Sequence, residues 1–223
     1  MIITIDGPSG TGKSTVAKEL AKALGIEHFD TGALYRALCW HLLDQHVAPS
    51  DQAQLSLSLE SFNYQVRTDR GQKRYIVGEV DVTEAIRHPD ITAIVSEVSA
   101  LREVREALMP LQLDFSKHHD AVFEGRDLGT VVFPHADLKF FLTAKAEVRA
   151  KRRLSELESQ FPDRKPSFAK TLDEIKARDE YDEGRAIAPL KMADDGILIE
   201  TSDLSIQEVV KKMKHYADAK RVP

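Results

Sequence analysis

A glycine-rich stretch near the start of the chain decides the fold, and it reads Gly7-Pro8-Ser9-Gly10-Thr11-Gly12-Lys13-Ser14. Its fixed positions match G-x-x-x-x-G-K-[ST], the pattern of a loop that cradles nucleotide phosphates. The apolar run 2–6 before it predicts a buried strand, and apolar residues at helical spacing from Val16 to Leu24 predict a helix that ends at Gly25. A strand, a glycine-rich turn and a helix in this order form the context that the pattern requires.

The residue types of this stretch suit a phosphate ligand. Glycines allow successive backbone N–H groups to converge on phosphate oxygens without interference from a Cβ atom. The N-terminus of the following helix adds partial positive charge. We therefore expect residues 7–14, with Thr15, to bind a nucleoside triphosphate as Mg·ATP. Lys13 would reach the β- and γ-phosphates, and the Ser14 hydroxyl would face Mg²⁺.

The rest of the chain alternates strands and helices, except in one segment. Apolar runs predict three further buried strands, at 121–124, 138–142 and 197–200. Helical patterns are found at about 31–44, 145–158, 168–183 and 205–218. This α/β alternation is typical of a mostly parallel, doubly wound sheet flanked by helices. Residues 62–83 differ, because two strand-like runs flank the turn-like 68–71; they predict a hairpin with a short third strand, and helices follow across 84–118.

Composition limits the classes of protein to consider. A length of 223 residues predicts one domain with a sizeable insertion. Lys and Arg number 31 against 36 Asp and Glu, and the net charge of −5 argues against a nucleic-acid partner. The single cysteine, Cys39, excludes an internal disulfide. No secretory leader is recognised at Met1 and no apolar run is long enough to span a membrane, so we expect a cytoplasmic protein.

Several uses of the triphosphate are compatible with the phosphate loop alone. A GTPase switch is disfavoured, because the only asparagine, Asn63, does not stand in a guanine-reading N-K-x-D, and no D-x-x-G is present. Size and acidity disfavour a nucleic-acid-dependent ATPase. A kinase for a small acceptor and a non-catalytic ATP-responsive module remain as alternatives.

Arginines at the ends of predicted elements favour the kinase. They are Arg36 inside the second helix, Arg126 with Asp127 just past the strand 121–124, and Arg178 with Asp182 and Arg185, which we predict to share one helix face. A kinase acting on a phosphorylated acceptor must hold that acceptor's anion, and the forked guanidinium group matches phosphate geometry. The remaining basic cluster, at 149–153, is interpreted as a solvated helix face.

Four stretches together resemble bacterial cytidylate kinase, and they are Gly7–Thr15, Asp30–Arg36, Glu124–Pro134 and Arg178–Leu190. The resemblance covers nearly the whole chain, including the order of the motifs and the β insertion. It implies a P-loop kinase fold in a single domain. Its parts would be a core at about 1–30, 121–150 and 185–223, a region at about 31–120 that binds the nucleoside monophosphate, and a lid at about 155–170.

The resemblance also implies an activity, the ATP-dependent phosphorylation of CMP and dCMP by a monomer with Mg²⁺, and it implies roles for individual residues. The alternative is a P-loop kinase for another small acceptor such as UMP or AMP. Charge on the transferring group would be neutralised by Lys13, Arg126 and Arg185. Substrate-binding roles fall on Thr31, Arg36 and Arg126 at the CMP phosphate, Ser96, Arg105 and Asp127 at the cytosine, Arg178 and Asp182 at the sugar, and Arg185 at the transferring phosphoryl group. Thr31 stands where some members have serine and Glu124 where some have aspartate, and both keep the functional group.

Overall fold

The computed structural model describes residues 1–69, 71–160 and 166–221, which form two compact units. The first, here called the sheet unit, consists of Met1–Phe29 and Phe115–Pro223. The second, the hairpin unit, is the continuous stretch Asp30–Asp114.

The elements follow one another in an order close to the predicted one. In chain order they are β1 (Ile2–Asp6), α1 (Lys13–Leu24), β2 (Glu27–Asp30), α2 (Thr31–Asp44), α3 (Gln52–Ser61), β3 (Tyr64–Asp69), β4 (Gln72–Val77), β5 (Val80–Asp81), α4 (Pro89–Ala100), α5 (Arg102–His118), β6 (Ala121–Glu124), β7 (Leu138–Thr143), α6 (Ala146–Gln160), α7 (Phe168–Gly184), β8 (Ile197–Glu200) and α8 (Ile206–Arg221). No helix in these described ranges combines the length and the apolar composition needed to cross a bilayer.

The sheet unit is built on five strands in the order β2-β6-β1-β7-β8. β1 pairs in parallel with both β6 and β7, and β7 pairs in parallel with β8, so the prediction of a mostly parallel sheet is confirmed. Strands covered on both faces carry continuous apolar runs, and Ile3 and Ile5 of β1 are indeed fully buried. They belong to one core cluster with side chains of α1 and α8, among them Leu20 and Met213.

This topology determines where the functional segments lie. β1 and β6, neighbours in the sheet, run in the same direction, so the loops that follow Asp6 and Glu124 leave the same edge of the sheet. The predicted end of α1 is confirmed, because Gly25 adopts the left-handed conformation with φ 66° and its N–H caps the last turn. The phosphate loop is thus bounded by a central strand and a short, well-terminated helix.

The hairpin unit contains a three-stranded antiparallel sheet in the order β3-β4-β5. Its apolar side packs on the helix α2, where Ala33 and Ala37 form one cluster with Tyr75, Val77 and Ile86. The predicted hairpin and short third strand are therefore confirmed. One residue of the predicted turn, at position 70, lies outside the described residues.

Two elements escaped the sequence analysis, and part of one prediction cannot be compared. β2 has only four residues, and two of them are acidic, so no apolar run marked it. α3 is largely polar, although Asp51 gives a recognisable helix start, since its side chain accepts a hydrogen bond from the Gln54 N–H (3.1 Å). The centre of the predicted lid, residues 161–165, lies outside the described residues.

Candidate nucleotide site

The phosphate loop, residues 7–14, has three positions at which the backbone conformation favours glycine. Gly7, Gly10 and Gly12 have φ values of 145°, 77° and 90°, a region that L side chains rarely occupy. A Cβ atom on Gly7 would also lie 2.1 Å from the backbone oxygen of Leu142 in β7. The loop therefore packs directly against the neighbouring strand, and its curvature depends on these glycines.

Lys13 lies buried within the curve of this loop. Its Nζ donates a hydrogen bond to the Pro8 carbonyl oxygen (2.7 Å), which also accepts one from the Thr11 hydroxyl (3.1 Å). Burial, together with the Arg126 guanidinium, lowers the pKa of Lys13 well below its usual value of 10.5. Two cationic groups held near one another favour a bound anion, because its charge stabilises the ionised lysine and offsets the effects of burial and of Arg126.

A chain of three side chains ties the loop to β2 and to the end of β6. The Ser14 hydroxyl donates a hydrogen bond to Glu124 Oε2 (2.6 Å), and His28 Nε2 lies 3.0 Å from Glu124 Oε1. Burial alone would raise the pKa of Glu124, but the hydrogen bonds from His28 and Ser14 outweigh it and lower the pKa below 4.5. Glu124 is therefore an ionised carboxylate beside the hydroxyl of the phosphate loop.

No role was predicted for Glu124 from the sequence, and His28 was not among the predicted site residues. The available signal was an acidic residue at the carboxyl end of a buried strand in a chain with a phosphate loop. A hydroxyl and a carboxylate are hard oxygen donors of the kind that Mg²⁺ prefers, and Mg²⁺ takes its other ligands from water and substrate phosphates. Ser14 and Glu124 therefore fit a nucleotide-bound Mg²⁺.

A second buried carboxylate, Asp6 at the end of β1, was also missed. Its two oxygens accept hydrogen bonds from the backbone N–H groups of Leu128 (3.0 Å) and Gly129 (2.8 Å). Burial raises the pKa of Asp6 from 3.8 to about 6, although the two backbone hydrogen bonds oppose the shift. Asp6 thereby fastens the start of the turn 128–132, and with it the preceding Arg126 and Asp127, to the strand that leads into the phosphate loop.

The structure brings together five predicted site residues, of which two follow β6, two lie in α7 and one lies just beyond α7. Arg126 Nε donates to Asp182 Oδ2 (3.2 Å), and Arg178 Nε lies 3.9 Å from the same oxygen. Arg185 Nη2 donates to Asp127 Oδ1 (3.3 Å). The side chains of Asp127, Asp182 and Arg185 are almost fully buried. Two carboxylates therefore orient three guanidinium groups at one place, which we call the arginine cluster.

One detail of this prediction was wrong. Arg178 and Asp182 do form the expected i,i+4 pair, but α7 ends at Gly184, so Arg185 does not share its helix face. The backbone at Arg185 is extended, and its Nε donates to the Ala188 carbonyl oxygen (2.6 Å) while its other end reaches Asp127. The turn beyond the helix, and not helical spacing, positions this side chain.

The interpretation of residues 149–153 as a solvated face was wrong for Arg149 and Arg152. Arg149 is buried, and its guanidinium donates to Asp179 Oδ2 (2.6 Å) and to the carbonyl oxygens of Ser9 (3.2 Å) and Ala144 (2.9 Å). Arg152, which is half-buried, donates to the Thr201 carbonyl oxygen (2.6 Å). Arg149 therefore supports the phosphate loop from α6.

Two predicted residues of the hairpin unit lie at the start of α2. Thr31 is its first residue and is buried, and Asp30 caps the helix by accepting a hydrogen bond from the Ala33 N–H (2.9 Å). Arg36 folds back towards this end, since a Cβ atom on Gly32 would lie 3.2 Å from its Nη1. A hydroxyl and a guanidinium at a helix N-terminus form a setting suited to an anion.

The other two, Ser96 and Arg105, are linked through Ser99. The Ser99 hydroxyl donates to the Ser96 carbonyl oxygen (3.0 Å), and Arg105 Nη1 donates to the Ser99 carbonyl oxygen (3.1 Å). Arg105 is buried and lies 5.9 Å from the centre of the Tyr35 ring. The sequence analysis did not identify Ser99 or Tyr35, which help to hold Arg105 in place.

The arrangement around the phosphate loop defines a class of protein. A parallel sheet whose strand β1 leads into the phosphate loop, together with the arginine cluster and Lys13 of the loop, is the architecture of a P-loop kinase. Among solved structures, shikimate kinase from Bacteroides thetaiotaomicron matches with a TM-score of 0.50 and 14% identity over 98% of each chain, which supports the fold alone.

Comparison of sequences gives the particular family. The family model described as cytidylate kinase matches residues 3–219. The cytidylate kinase of Protochlamydia amoebophila is 48% identical over 98% of this chain and 96% of its own length. That of Caldicellulosiruptor bescii is 44% identical over 95% of this chain and 92% of its own. The chain belongs to the cytidylate kinase family, and the fold and family expected from its motifs are confirmed.

Proposed function

We propose that this protein transfers the γ-phosphoryl group of ATP to CMP or dCMP, giving CDP or dCDP. The observation that carries the proposal is that Lys13 and Arg126 follow the ends of the neighbouring parallel strands β1 and β6, and the Arg126 charge helps to lower the pKa of Lys13. The lysine that would bind the donor phosphates and the arginine that would bind the acceptor phosphate therefore lie beyond the same edge of the sheet. Phosphoryl transfer depends chiefly on such positioning and charge neutralisation.

On the donor side, the backbone N–H groups of residues 7–15 would hold the ATP phosphates, and Lys13 would contact the β- and γ-phosphates. Ser14 and Glu124 would hold Mg²⁺, which when bound neutralises charge on the β- and γ-phosphate oxygens. The Ser14 hydroxyl donates a hydrogen bond to Glu124, which leaves its oxygen lone pairs for a metal ligand role.

On the acceptor side, Arg126 and Arg185 would neutralise charge at the transferring group, and the carboxylates that orient them keep their forks fixed. The family resemblance assigns Asp127 to the cytosine, and Arg178 with Asp182 to the sugar hydroxyls. In the hairpin unit it assigns Thr31 and Arg36 to the CMP phosphate, and Ser96 and Arg105 to the base. A phosphate dianion is already a nucleophile, so the transfer requires no dedicated general base.

The same proposal includes a cytoplasmic monomer that binds neither nucleic acid nor membrane. The acidic net charge of −5 supports this view of its partners. It also includes the division into core, monophosphate-binding region and lid given above. A lid at about 155–170 would exclude water and so prevent wasteful hydrolysis of ATP.

The test is an ADP-release assay with Mg·ATP and a panel of acceptors comprising CMP, dCMP, UMP, AMP, GMP, shikimate and none. Fast turnover confined to CMP and dCMP is the expected result. Turnover that favours another acceptor would keep the donor site and contradict the base-reading residues. Slow ATP loss that no acceptor stimulates would contradict the kinase assignment.

Replacing Arg126 separates the two halves of the site. Arg126→Ala should lower the CMP kinase rate by about 10³-fold and change ATP affinity only a fewfold. Arg153→Ala is the matched control, because that arginine pairs with an exposed Glu156 (3.1 Å) on α6. An equal loss of ATP binding in Arg126→Ala would place Arg126 on the donor side.

A further inference from the structure

We propose that His28 is a positioning residue for the metal-binding end of the phosphate loop. It holds Glu124 so that the second carboxylate oxygen of Glu124 faces the Ser14 hydroxyl, and it thereby raises the affinity of the loop for a nucleotide that carries Mg²⁺. The inference rests on the proposed function in one respect, namely that a metal–nucleotide complex binds at the phosphate loop.

His28 does not contact the phosphate loop itself but contacts Glu124, which accepts a hydrogen bond from Ser14 of the loop. His28 lies in β2 and Glu124 at the end of β6, and these strands are neighbours in the sheet. A carboxylate accepts hydrogen bonds and does not donate them, so His28 Nε2 carries the proton in the 3.0 Å contact with Oε1. This leaves Oε2 to accept the Ser14 hydroxyl at 2.6 Å.

Burial makes the orientation of this carboxylate depend on His28. The side chains of both His28 and Glu124 are only 5% exposed, so water contributes little to their solvation. A buried carboxylate requires hydrogen-bond donors for its oxygens, and Ser14 and His28 approach the two oxygens of Glu124 from different elements. Loss of the donor on Oε1 would let the flexible glutamate side chain leave the orientation in which its Oε2 accepts the Ser14 hydroxyl.

The consequence for the metal follows from the role of Ser14. A hydroxyl can give a lone pair to a metal ion only while its O–H bond points elsewhere, and the O–H bond of Ser14 points to Glu124 Oε2. Residues that hold a ligating group in orientation typically account for 10- to 100-fold in metal affinity or activity. His28 would exert its effect on the metal complex of the nucleotide and leave metal-free nucleotide binding unchanged.

The experiment measures ADP affinity by calorimetry, once with Mg²⁺ and once with EDTA, for the full chain and its variants. The ratio of the two dissociation constants reports the contribution of the metal. We expect His28→Leu to reduce this ratio about tenfold, with the dissociation constant in EDTA unchanged within about twofold. His28→Gln, which keeps an N–H donor at a similar distance from the backbone, should restore the ratio to within about threefold of the wild type.

Two controls separate positioning from mere stability. His41 is another buried histidine, and its Nε2 contacts the Ser58 carbonyl oxygen (3.1 Å) within the hairpin unit. His41→Leu should destabilise the fold comparably and leave the ratio unchanged. In a double-mutant cycle, adding His28→Leu to Glu124→Gln should cause little further loss.

Three results would overturn the inference. They are an unchanged ratio in His28→Leu, a similar fall in His41→Leu, or fully multiplicative losses in the cycle. These outcomes leave the proposed function standing if the wild type still binds Mg·ADP and phosphorylates CMP. A wild type that binds no ADP would contradict both the inference and the donor site.

Discussion

Replacing Arg149 by methionine should lower the free energy of unfolding by about 5 kcal/mol. Breaking a buried ion pair from one side costs about 3–5 kcal/mol, and the lower value applies here because Asp179 retains 13% exposure of its side chain. The lost hydrogen bonds to the Ser9 and Ala144 carbonyl oxygens add about 1 kcal/mol each. The Asp179 carboxylate would then lose its charged partner while it stays largely buried. The desolvation cost of this carboxylate would not be compensated, since its Oδ1 already has no hydrogen-bond partner among the described residues.

The assay is urea unfolding followed by circular dichroism, with ADP affinity as a second readout. Because Ser9 belongs to the phosphate loop, the variant should also bind ADP more weakly. Arg153→Ala is the control on the same helix, and an exposed pair of this kind contributes about 0.5 kcal/mol or less. If Arg149→Met does not fold, the double variant Arg149→Met with Asp179→Leu should fold again, because no buried charge is then left unpaired. Equal, small losses in Arg149→Met and Arg153→Ala would refute the reasoning.

Three further predictions concern backbone, base and pH. Gly7→Ala should lower the free energy of unfolding by about 3 kcal/mol or more, because of the backbone conformation at Gly7 and the close approach of β7. Gly25→Ala should lower it by about 1 kcal/mol, because a Cβ atom there meets open space. Equal losses in urea unfolding would contradict the packing argument. Ser96→Ala combined with Arg105→Met should shift the preference from CMP towards UMP, and an unchanged ratio of the two rates would remove both residues from the base site. Because the pKa of Asp6 is raised to about 6, the folded state binds its proton more tightly than the unfolded chain does. The free energy of unfolding should therefore fall as the pH rises from 3.8 to about 6. It should fall more steeply in the wild type than in Asp6→Asn, which has no carboxyl group to titrate at this position. Parallel profiles of unfolding free energy against pH would contradict the raised pKa of Asp6.

Local patterns predicted most of the fold. The phosphate loop could be recognised because its backbone conformation requires glycines at fixed positions of the sequence. The hairpin could be recognised because two strand-like runs flank a turn. β2 was missed for the opposite reason, since its four residues acquire their structure from the neighbouring β6 and not from an apolar run of their own.

The contacts within the site were harder to predict than its residue types. The burial of Arg149 results from Asp179 and Ser9, which are distant in sequence, while the adjacent charged residues of α6 gave no apolar marker for its inner face. Arg185 was identified by its motif, but its position follows from the helix ending at Gly184. His28 belongs to no sequence motif that indicates a role. Its contact with Glu124 becomes visible only when β2 and β6 are seen to be neighbours in the sheet.

The order of strands in the sheet has a consequence for how the protein is made. β1 is synthesised before its sheet partners β6 and β7, in which Val122 and Leu138 lie opposite Ile3. This strand therefore cannot pair until more than 100 further residues have been added. Asp30–Asp114 is continuous and can form its local contacts during that interval, at synthesis rates of about 5–20 residues per second. The apolar N-terminal segment is meanwhile without its sheet, which makes it a candidate binding segment for chaperones acting on the nascent chain. The nucleotide-binding loop, although synthesised before the strands β6 and β7, would be among the last parts of this fold to take shape.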